Sequence, residues 1–155
     1  MKFRISLVSF ALFFATSSAV TAHPNECTNQ TIKGTYAFTI HGQILTPNGA
    51  LVVDGIAKTT FESNGNLAQV DAVAVNGSIP EGWRPGWGTF TLNSDCTGTM
   101  TINTADQPPL HLMIVVSHGG DVIRTVVTDP GFAVTSDAER ILATKLGDES
   151  SRVGD

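Results

Sequence analysis

The segment Gly88–Ile102, GTFTLNSDCTGTMTI, constrains the fold of this chain more than any other stretch. Threonines alternate with Phe90 and Leu92 before its centre and with Met100 after it. A period of two is typical of a half-buried strand, since successive side chains point to opposite faces. At the centre, Asn93-Ser94-Asp95 offers short polar side chains that hydrogen-bond the local backbone in turns. The segment therefore predicts a β-hairpin.

The same alternation recurs along the chain between turn signals such as Asn64-Gly65 and Asp129-Pro130-Gly131. Its first copy is GTYAFTI, Gly34–Ile40. No helical crossover pattern lies between these segments, so a parallel sheet is disfavoured. Besides the hairpin, the predicted strands cover 31–45, 50–62, 66–76, 110–117 and 121–129.

The segment Ser136–Leu146 carries conflicting signals. Ser136 and Glu139 have capping-box spacing, and the apolar residues that follow have helical spacing. However, an up-and-down antiparallel sheet closes on itself only with an even number of strands, and closure removes aggregation-prone edges. We therefore predict an eighth strand over 132–141, with any short helix after it. The expected fold is all-β, an eight-stranded antiparallel up-and-down barrel, either packed shut or holding one small ligand.

A Pro/Gly-rich segment, GSIPEGWRPG at 77–86, interrupts the alternation. Such a segment is expected to be a loop that joins no ladder. It contains Trp83, and Trp87 follows it. We expect both tryptophans to border a ligand entrance, with Tyr36 inside below them. The alternative is that the indoles plug the end of the barrel as core.

The first residues have the organisation of a secretory signal peptide. Lys2 and Arg4 precede an apolar run over Ile5–Ala15, and Val20-Thr21-Ala22 fits the cleavage rule. The predicted domains are a signal peptide at 1–22, a β-barrel at 23–147 and a disordered tail at 148–155. We expect a secreted or secretory-pathway protein that has no membrane association once the signal is removed.

Without residues 1–22 the chain has seven basic and fourteen acidic residues, a formal net charge of −7. The sequence contains no basic cluster. Nucleic acid is therefore not an expected partner. The oligomeric state does not follow from the sequence.

Two cysteines, Cys27 and Cys96, make an even pair. In an oxidising compartment they predict a disulfide between the N-terminal arm and the central hairpin. A metal or catalytic thiol is the alternative, although no Cys-x-x-Cys spacing is present. Asn29 and Asn76 each begin an Asn-x-Ser/Thr sequence and would be surface glycosylation sites in a eukaryotic protein.

The phrases GTYAF at Gly34–Phe38, GTFTLNSDCTGTMTI and DVIRTVVTDPG at Asp121–Gly131 give a resemblance to known proteins. The chain resembles the allene oxide cyclase barrel-like superfamily, which includes dirigent proteins and is lipocalin-like in shape. The resemblance covers most of the mature chain, and its motifs are structural. It implies a barrel whose cavity binds an apolar intermediate and steers a cyclisation or coupling. It assigns no catalytic residue to a position in this sequence.

Three side chains are candidates for catalysis, each with an alternative on the solvent face. His111 in the most apolar strand could act near neutral pH, or lie at the rim or outer surface. Arg124 could clamp a carboxylate or enolate, or cover apolar surface with its stem. Asp71 could be a buried base with a raised pKa, or an exposed strand residue.

The aromatic and apolar residues of the repeated strand pattern are the candidates for ligand binding: Tyr36, Phe38, Trp83, Trp87, Phe90 and Met100. Tyr36 could instead be a core residue. The four histidines show no metal-ligand pairing on one strand face, and no cofactor motif is present. We therefore expect neither a metal nor a cofactor.

The sequence leads us to expect a small, mostly apolar ligand or substrate. The first hypothesis is a cyclase or isomerase that holds a flexible biosynthetic intermediate in a reactive conformation, which requires no covalent nucleophile. A secreted lipocalin-like carrier of a lipophilic ligand would use the same cavity without turnover. A third hypothesis is a secreted interaction module with a packed barrel.

Overall fold

The computed structural model describes residues 26–79, 81–105 and 107–141, which form one β-barrel. Two short 3₁₀ turns, Asn29–Ile32 and His118–Gly120, accompany the strands. The strands are β1 (Gly34–Thr46), β2 (Gly49–Phe61), β3 (Asn66–Val75), β4 (Arg84–Leu92), β5 (Thr97–Thr104), β6 (Gln107–Ser117), β7 (Val122–Val127) and β8 (Phe132–Arg140).

Each strand pairs antiparallel with its sequence neighbours, and β8 pairs with β1 to close the barrel. The closing register runs from Tyr36 opposite Arg140 to Ile44 opposite Phe132. The predicted eight-stranded up-and-down barrel is confirmed. The helical signals at Ser136 and Glu139 are overridden because pairing with both β1 and β7 satisfies the backbone of β8 on both sides.

Strand alternation separates an interior from a solvent face. On β2 every second residue points inward, among them Val53, Ala57 and Phe61, all buried. On β3 apolar residues occur at both alternating sets of positions, so the sequence pattern does not give its orientation. In the structure Leu67 and Asp71 are buried, so the face that carries the carboxylate points inward.

The prediction that segment 77–86 joins no ladder is wrong for its last residues. Strand β4 begins at Arg84, and Pro85 lies opposite Val70 of β3. Pairing with β5 begins only at Gly86. Pro85 therefore has a strand neighbour on one side alone, the position in which a residue without an N–H is tolerated.

Strand β6 also begins earlier than the predicted strand at 110–117. Pro108 and Pro109 belong to β6, which begins at Gln107. The β5–β6 register shifts between Ile102 and Thr104, and β7 pairs with β6 only from Leu112. This end of β6 thus has one strand neighbour, which again accommodates proline.

One end of the barrel is closed by its own side chains. Ile32 and Tyr36 are fully buried there, and Tyr36 meets the Phe61 ring edge-on at a centroid distance of 5.5 Å. The Arg140 guanidinium lies 4.8 Å from the Tyr36 ring centroid. It also donates to the carbonyls of Lys33, Thr31 and Gly120, so it ties both 3₁₀ turns to this end.

The predicted disulfide between Cys27 and Cys96 is present, with 69 residues of sequence separation. The neighbouring Cys27 N–H donates to the Ser94 carbonyl at 3.0 Å, so the arm is also held by the backbone of the β4–β5 turn. That turn, centred on Asn93-Ser94-Asp95, connects the two strands of the predicted hairpin.

The predicted signal peptide at 1–22, the disordered tail at 148–155 and any helix over 142–147 lie outside the described residues. Within the described residues, no helix is long and apolar enough to cross a membrane.

Candidate functional site

The interior of the barrel holds a cavity of about 400 Å³. Its mouth lies at the end opposite Tyr36, where Arg84, Gln107 and Phe132 are partly exposed. The wall is predominantly apolar. Its apolar residues include Phe38, Ile40, Ile44, Val53, Ala57, Val73, Met100, Ile102, Leu110, Leu112, Val127 and Val134.

A polar network on β2, β3 and β4 interrupts the apolar wall. The Arg84 guanidinium donates from Nε to Asp71 Oδ1 at 3.0 Å and from Nη2 to Asp71 Oδ2 at 3.2 Å. Gln69 Nε2 donates to Asp71 Oδ2 at 3.0 Å, and Thr59 donates to Gln69 Oε1 at 3.3 Å. The Asp71 side chain is 4 % exposed and that of Arg84 is 44 % exposed. The carboxylate is therefore buried and its charge is compensated by an arginine at the mouth.

A second polar feature is a hydroxyl pair on β7 and β8. Thr125 Oγ1 and Ser136 Oγ lie 2.7 Å apart, and both residues line the cavity. They face each other because Thr125 and Ser136 are opposite partners in the β7–β8 register. Both residues are buried, so a ligand group that contacts these hydroxyls is shielded from bulk water.

At the mouth, Asp129 lines the cavity next to His111, which lies on the outer face of β6. His111 Nδ1 lies 2.8 Å from Asp129 Oδ1, and the His111 backbone N–H donates to Oδ2 at 2.7 Å. The hydrogen bonds from the His111 backbone and ring hold the pKa of the Asp129 carboxyl below its usual range. Asp129 is thus an anionic group that fixes the β7–β8 connection against β6.

Of the proposed catalytic residues, the structure places only Asp71 in the cavity. The His111 side chain is 56 % exposed and that of Arg124 is 57 % exposed. Arg124 pairs with Asp137 at 3.2 Å on the outer face of β7 and β8. Both side chains point outward because their strand neighbours Leu112 and Thr125 point inward. Of the two alternatives left open by the sequence, the structure shows the solvent face for each, and a catalytic role in the cavity is corrected.

The predicted ligand-binding residues divide between the two ends of the interior. Phe38 and Met100 line the cavity. Tyr36 and Phe90 do not; they are buried with Phe61 in the closed end, where Phe90 and Phe61 meet edge-on at 5.0 Å. Burial raises the pKa of the Tyr36 phenol to about 12, although nearby Arg140 opposes the shift. Tyr36 donates to the Gly120 carbonyl and is a core residue.

Trp83 and Trp87 are 56 % and 53 % exposed, and neither lines the cavity. Trp87 faces outward because Gly86 and Gly88 on either side of it face the interior. Tyr36 therefore does not lie below them inside a shared entrance, and neither indole plugs the barrel. A role of these tryptophans in ligand binding stays a prediction that their placement does not support.

Five polar residues of the site were not predicted from the sequence: Thr59, Gln69, Arg84, Thr125 and Ser136. Arg84 sits in the segment assigned to a loop, which concealed its strand position. Thr125 lies next to the outward Arg124, and alternation along β7 therefore points its side chain inward. The pairing with Ser136 required the β7–β8 register, which the sequence does not contain.

Both asparagines of the predicted glycosylation sites accept backbone hydrogen bonds. Asn29 Oδ1 accepts from the Leu92 N–H at 2.9 Å, and Asn76 Oδ1 accepts from the Val52 N–H at 2.8 Å. Asn76 is exposed, and Asn29 is partly buried. Glycosylation at either residue stays a prediction.

Within the described residues, no group of three or more histidine, cysteine or acidic side chains is arranged to hold a metal ion. The fold is that of a small closed β-barrel with an interior cavity. Comparison with models of known protein families and with curated proteins gave no match to this chain. The disulfide is compatible with an oxidising, secretory-type environment.

Proposed function

We propose that this protein binds a small, mostly apolar molecule inside the barrel. The observation that supports this most directly is the cavity of about 400 Å³ that opens at one end of the barrel. Ligand sites are typically concave, largely apolar and lined by few polar groups. An interior of this kind is not filled by side chains, which disfavours the packed interaction module.

The cavity also has a stable frame around it. The closed end is held by the Tyr36, Phe61 and Phe90 cluster and by the disulfide, so an open interior does not depend on a ligand. A preformed site loses little conformational entropy when it binds. The predicted signal peptide, together with the disulfide, supports secretion as part of the same proposal.

The proposal is tested with N-phenyl-1-naphthylamine, a neutral probe whose emission rises in apolar surroundings. We expect saturable binding by the purified protein. Ala57→Phe should abolish it, since Ala57 lines the cavity and a benzyl group there occupies ligand space. Ala37→Phe is the matched control, because Ala37 is exposed on the outer face of β1. Equal binding by both variants would show that the probe sits elsewhere.

A second proposed function is that of a cyclase or isomerase acting on a bound intermediate. The observation that favours it is the buried Asp71 carboxylate within the apolar cavity, held by Arg84 and Gln69. Such a group can accept a proton or orient a polar atom, while the walls fold a flexible chain into a reactive conformation. The resemblance to the allene oxide cyclase barrel-like superfamily agrees with this proposal.

Turnover is distinguished from carriage by mass spectrometry. Small molecules that co-purify with the protein are extracted, returned to fresh protein and followed by chiral chromatography. A cyclase or isomerase gives a product of the same mass with a new retention time, and Asp71→Asn slows its appearance. Recovery of the unchanged molecule, with Ala57→Phe unable to bind it, identifies a carrier.

A further inference from the structure

The two hydroxyl groups of Thr125 and Ser136 have two hydrogens, and their mutual hydrogen bond uses only one of them. Thr125 and Ser136 are 6 % and 7 % exposed, and each hydroxyl carries one O–H donor. Their mutual hydrogen bond at 2.7 Å uses one of those two donors. Within the described residues neither side chain has a further hydrogen-bond partner, and both line the cavity. One O–H donor is therefore left for a ligand in a largely apolar interior.

The cationic side chain that lines the cavity is already paired with a carboxylate. Among the described residues that line it, Arg84 is the single cation, and it forms a two-point ion pair with Asp71. Asp129 adds a negative charge at the mouth, and its oxygens face His111. The side chains that line the cavity thus include two carboxylates and one guanidinium. An anionic ligand would lose its hydration there without gaining an unpaired cation.

From these two observations we infer that the ligand is a neutral, mostly apolar molecule with a hydrogen-bond-accepting oxygen, such as a ketone, which receives the spare hydroxyl hydrogen of Thr125 or Ser136. The inference rests on the proposed binding function and specifies its ligand class. An acceptor in this position would satisfy a buried donor that an entirely hydrocarbon ligand leaves unused. The carboxylates of fatty acids are disfavoured by the charge of the lining.

The ligand class is tested by displacement of N-phenyl-1-naphthylamine from the purified protein at pH 7, with 2-undecanone and undecanoate as competitors of equal chain length. We expect 2-undecanone to compete at least about 10-fold more tightly than undecanoate. This comparison needs no variant. Equal or tighter competition by undecanoate, weakened by Arg84→Met, would assign the polar end of the ligand to the arginine and overturn the inference.

The donor is tested with the double variant Thr125→Val/Ser136→Ala, which replaces both hydroxyls by apolar groups of similar shape. We expect the affinity for 2-undecanone to fall about 10-fold while that for the probe stays within about twofold. Thr99→Val, on the outer face of β5, is the control. An unchanged ketone affinity in a folded double variant overturns the inference alone. Failure of the wild type to bind the probe overturns the proposed function as well.

Discussion

Asp71 and Arg84 place an ion pair in the wall of an otherwise apolar cavity, and the two partners differ in exposure. The Asp71 side chain is 4 % exposed and that of Arg84 is 44 % exposed. The arginine carries its charge at the mouth, where water reaches it, while both carboxylate oxygens are engaged below. The Asp71 carboxylate, which is shielded from water, therefore relies on Arg84 to compensate its charge, whereas Arg84 is also solvated.

Arg84→Met should destabilise the barrel by about 2–4 kcal/mol, because it leaves a buried carboxylate without its cation. The double variant Asp71→Asn/Arg84→Met should recover at least half of that loss. Urea unfolding of the wild type, both single variants and the double variant measures the coupling. Additive effects of the two substitutions would show that the pair does not stabilise the fold.

Ionisation of Tyr36 should lower the stability of the protein at alkaline pH. Its pKa is raised from 10.0 to about 12 by burial, so the folded state holds the phenolic proton more tightly than the unfolded state does. The associated stability is fully present below pH 10 and is lost as pH rises toward 12. Tyr36→Phe should lack this loss, although it costs about 1 kcal/mol at pH 8 through the missing hydrogen bond to Gly120.

The difference in unfolding free energy between wild type and Tyr36→Phe, measured at pH 8, 10 and 11, should shrink as pH rises. Tyr36 is the sole tyrosine of the chain, so its ionisation can also be followed directly by ultraviolet absorbance. A difference that stays constant over this range would contradict the role of burial.

At the scale of elements, the N-terminal arm is fastened to the β4–β5 hairpin by the Cys27–Cys96 disulfide and by the Cys27 backbone. The hairpin that dominates the sequence pattern is thus also the anchor for the segment that leads into β1. The bridge spans 69 residues, which include β1, β2, β3 and β4.

Removal of this disulfide by Cys27→Ala/Cys96→Ala should lower the unfolding free energy by about 4 kcal/mol, since a cross-link over a loop of this length restricts the unfolded chain. Urea unfolding compares the variant with the oxidised wild type. The reduced wild type is the control and should match the variant. Equal stability of the oxidised and reduced proteins would show that the bridge adds nothing.

At the scale of the whole molecule, closure of the sheet creates the site. The cavity is lined by residues of all eight strands, so it exists only when β8 has paired with β1. Binding inside it should therefore be linked to global folding and should not be found in a partly unfolded barrel.

A bound ligand should stabilise the fold by mass action. At a free concentration of N-phenyl-1-naphthylamine about 100 times its Kd, the unfolding free energy should rise by about 2.7 kcal/mol. Ala57→Phe should show no rise, and Ala37→Phe should behave as the wild type does. Thermal or urea unfolding with and without the probe makes the measurement. Stabilisation of Ala57→Phe would place the probe outside the cavity.

The sequence by itself determined the class of fold. The alternation in Gly88–Ile102 and its repeats set the strands, since a period of two follows from strand geometry alone. The disulfide followed from two cysteines, and the eighth strand followed from the parity of an up-and-down sheet. Alternation depends on neighbours along the chain, and the other two features depend on the number of cysteines and of strands. All of these can be read from a sequence.

Only the tertiary structure decided the composition of the site. Asp71 meets Arg84 because β3 and β4 pair in one register, and Thr125 meets Ser136 because β7 and β8 pair in another. A shift of one residue would have turned either set of side chains to solvent. Register between strands is a property of the closed barrel, which is why local patterns could predict the sheet but not the groups that share its cavity.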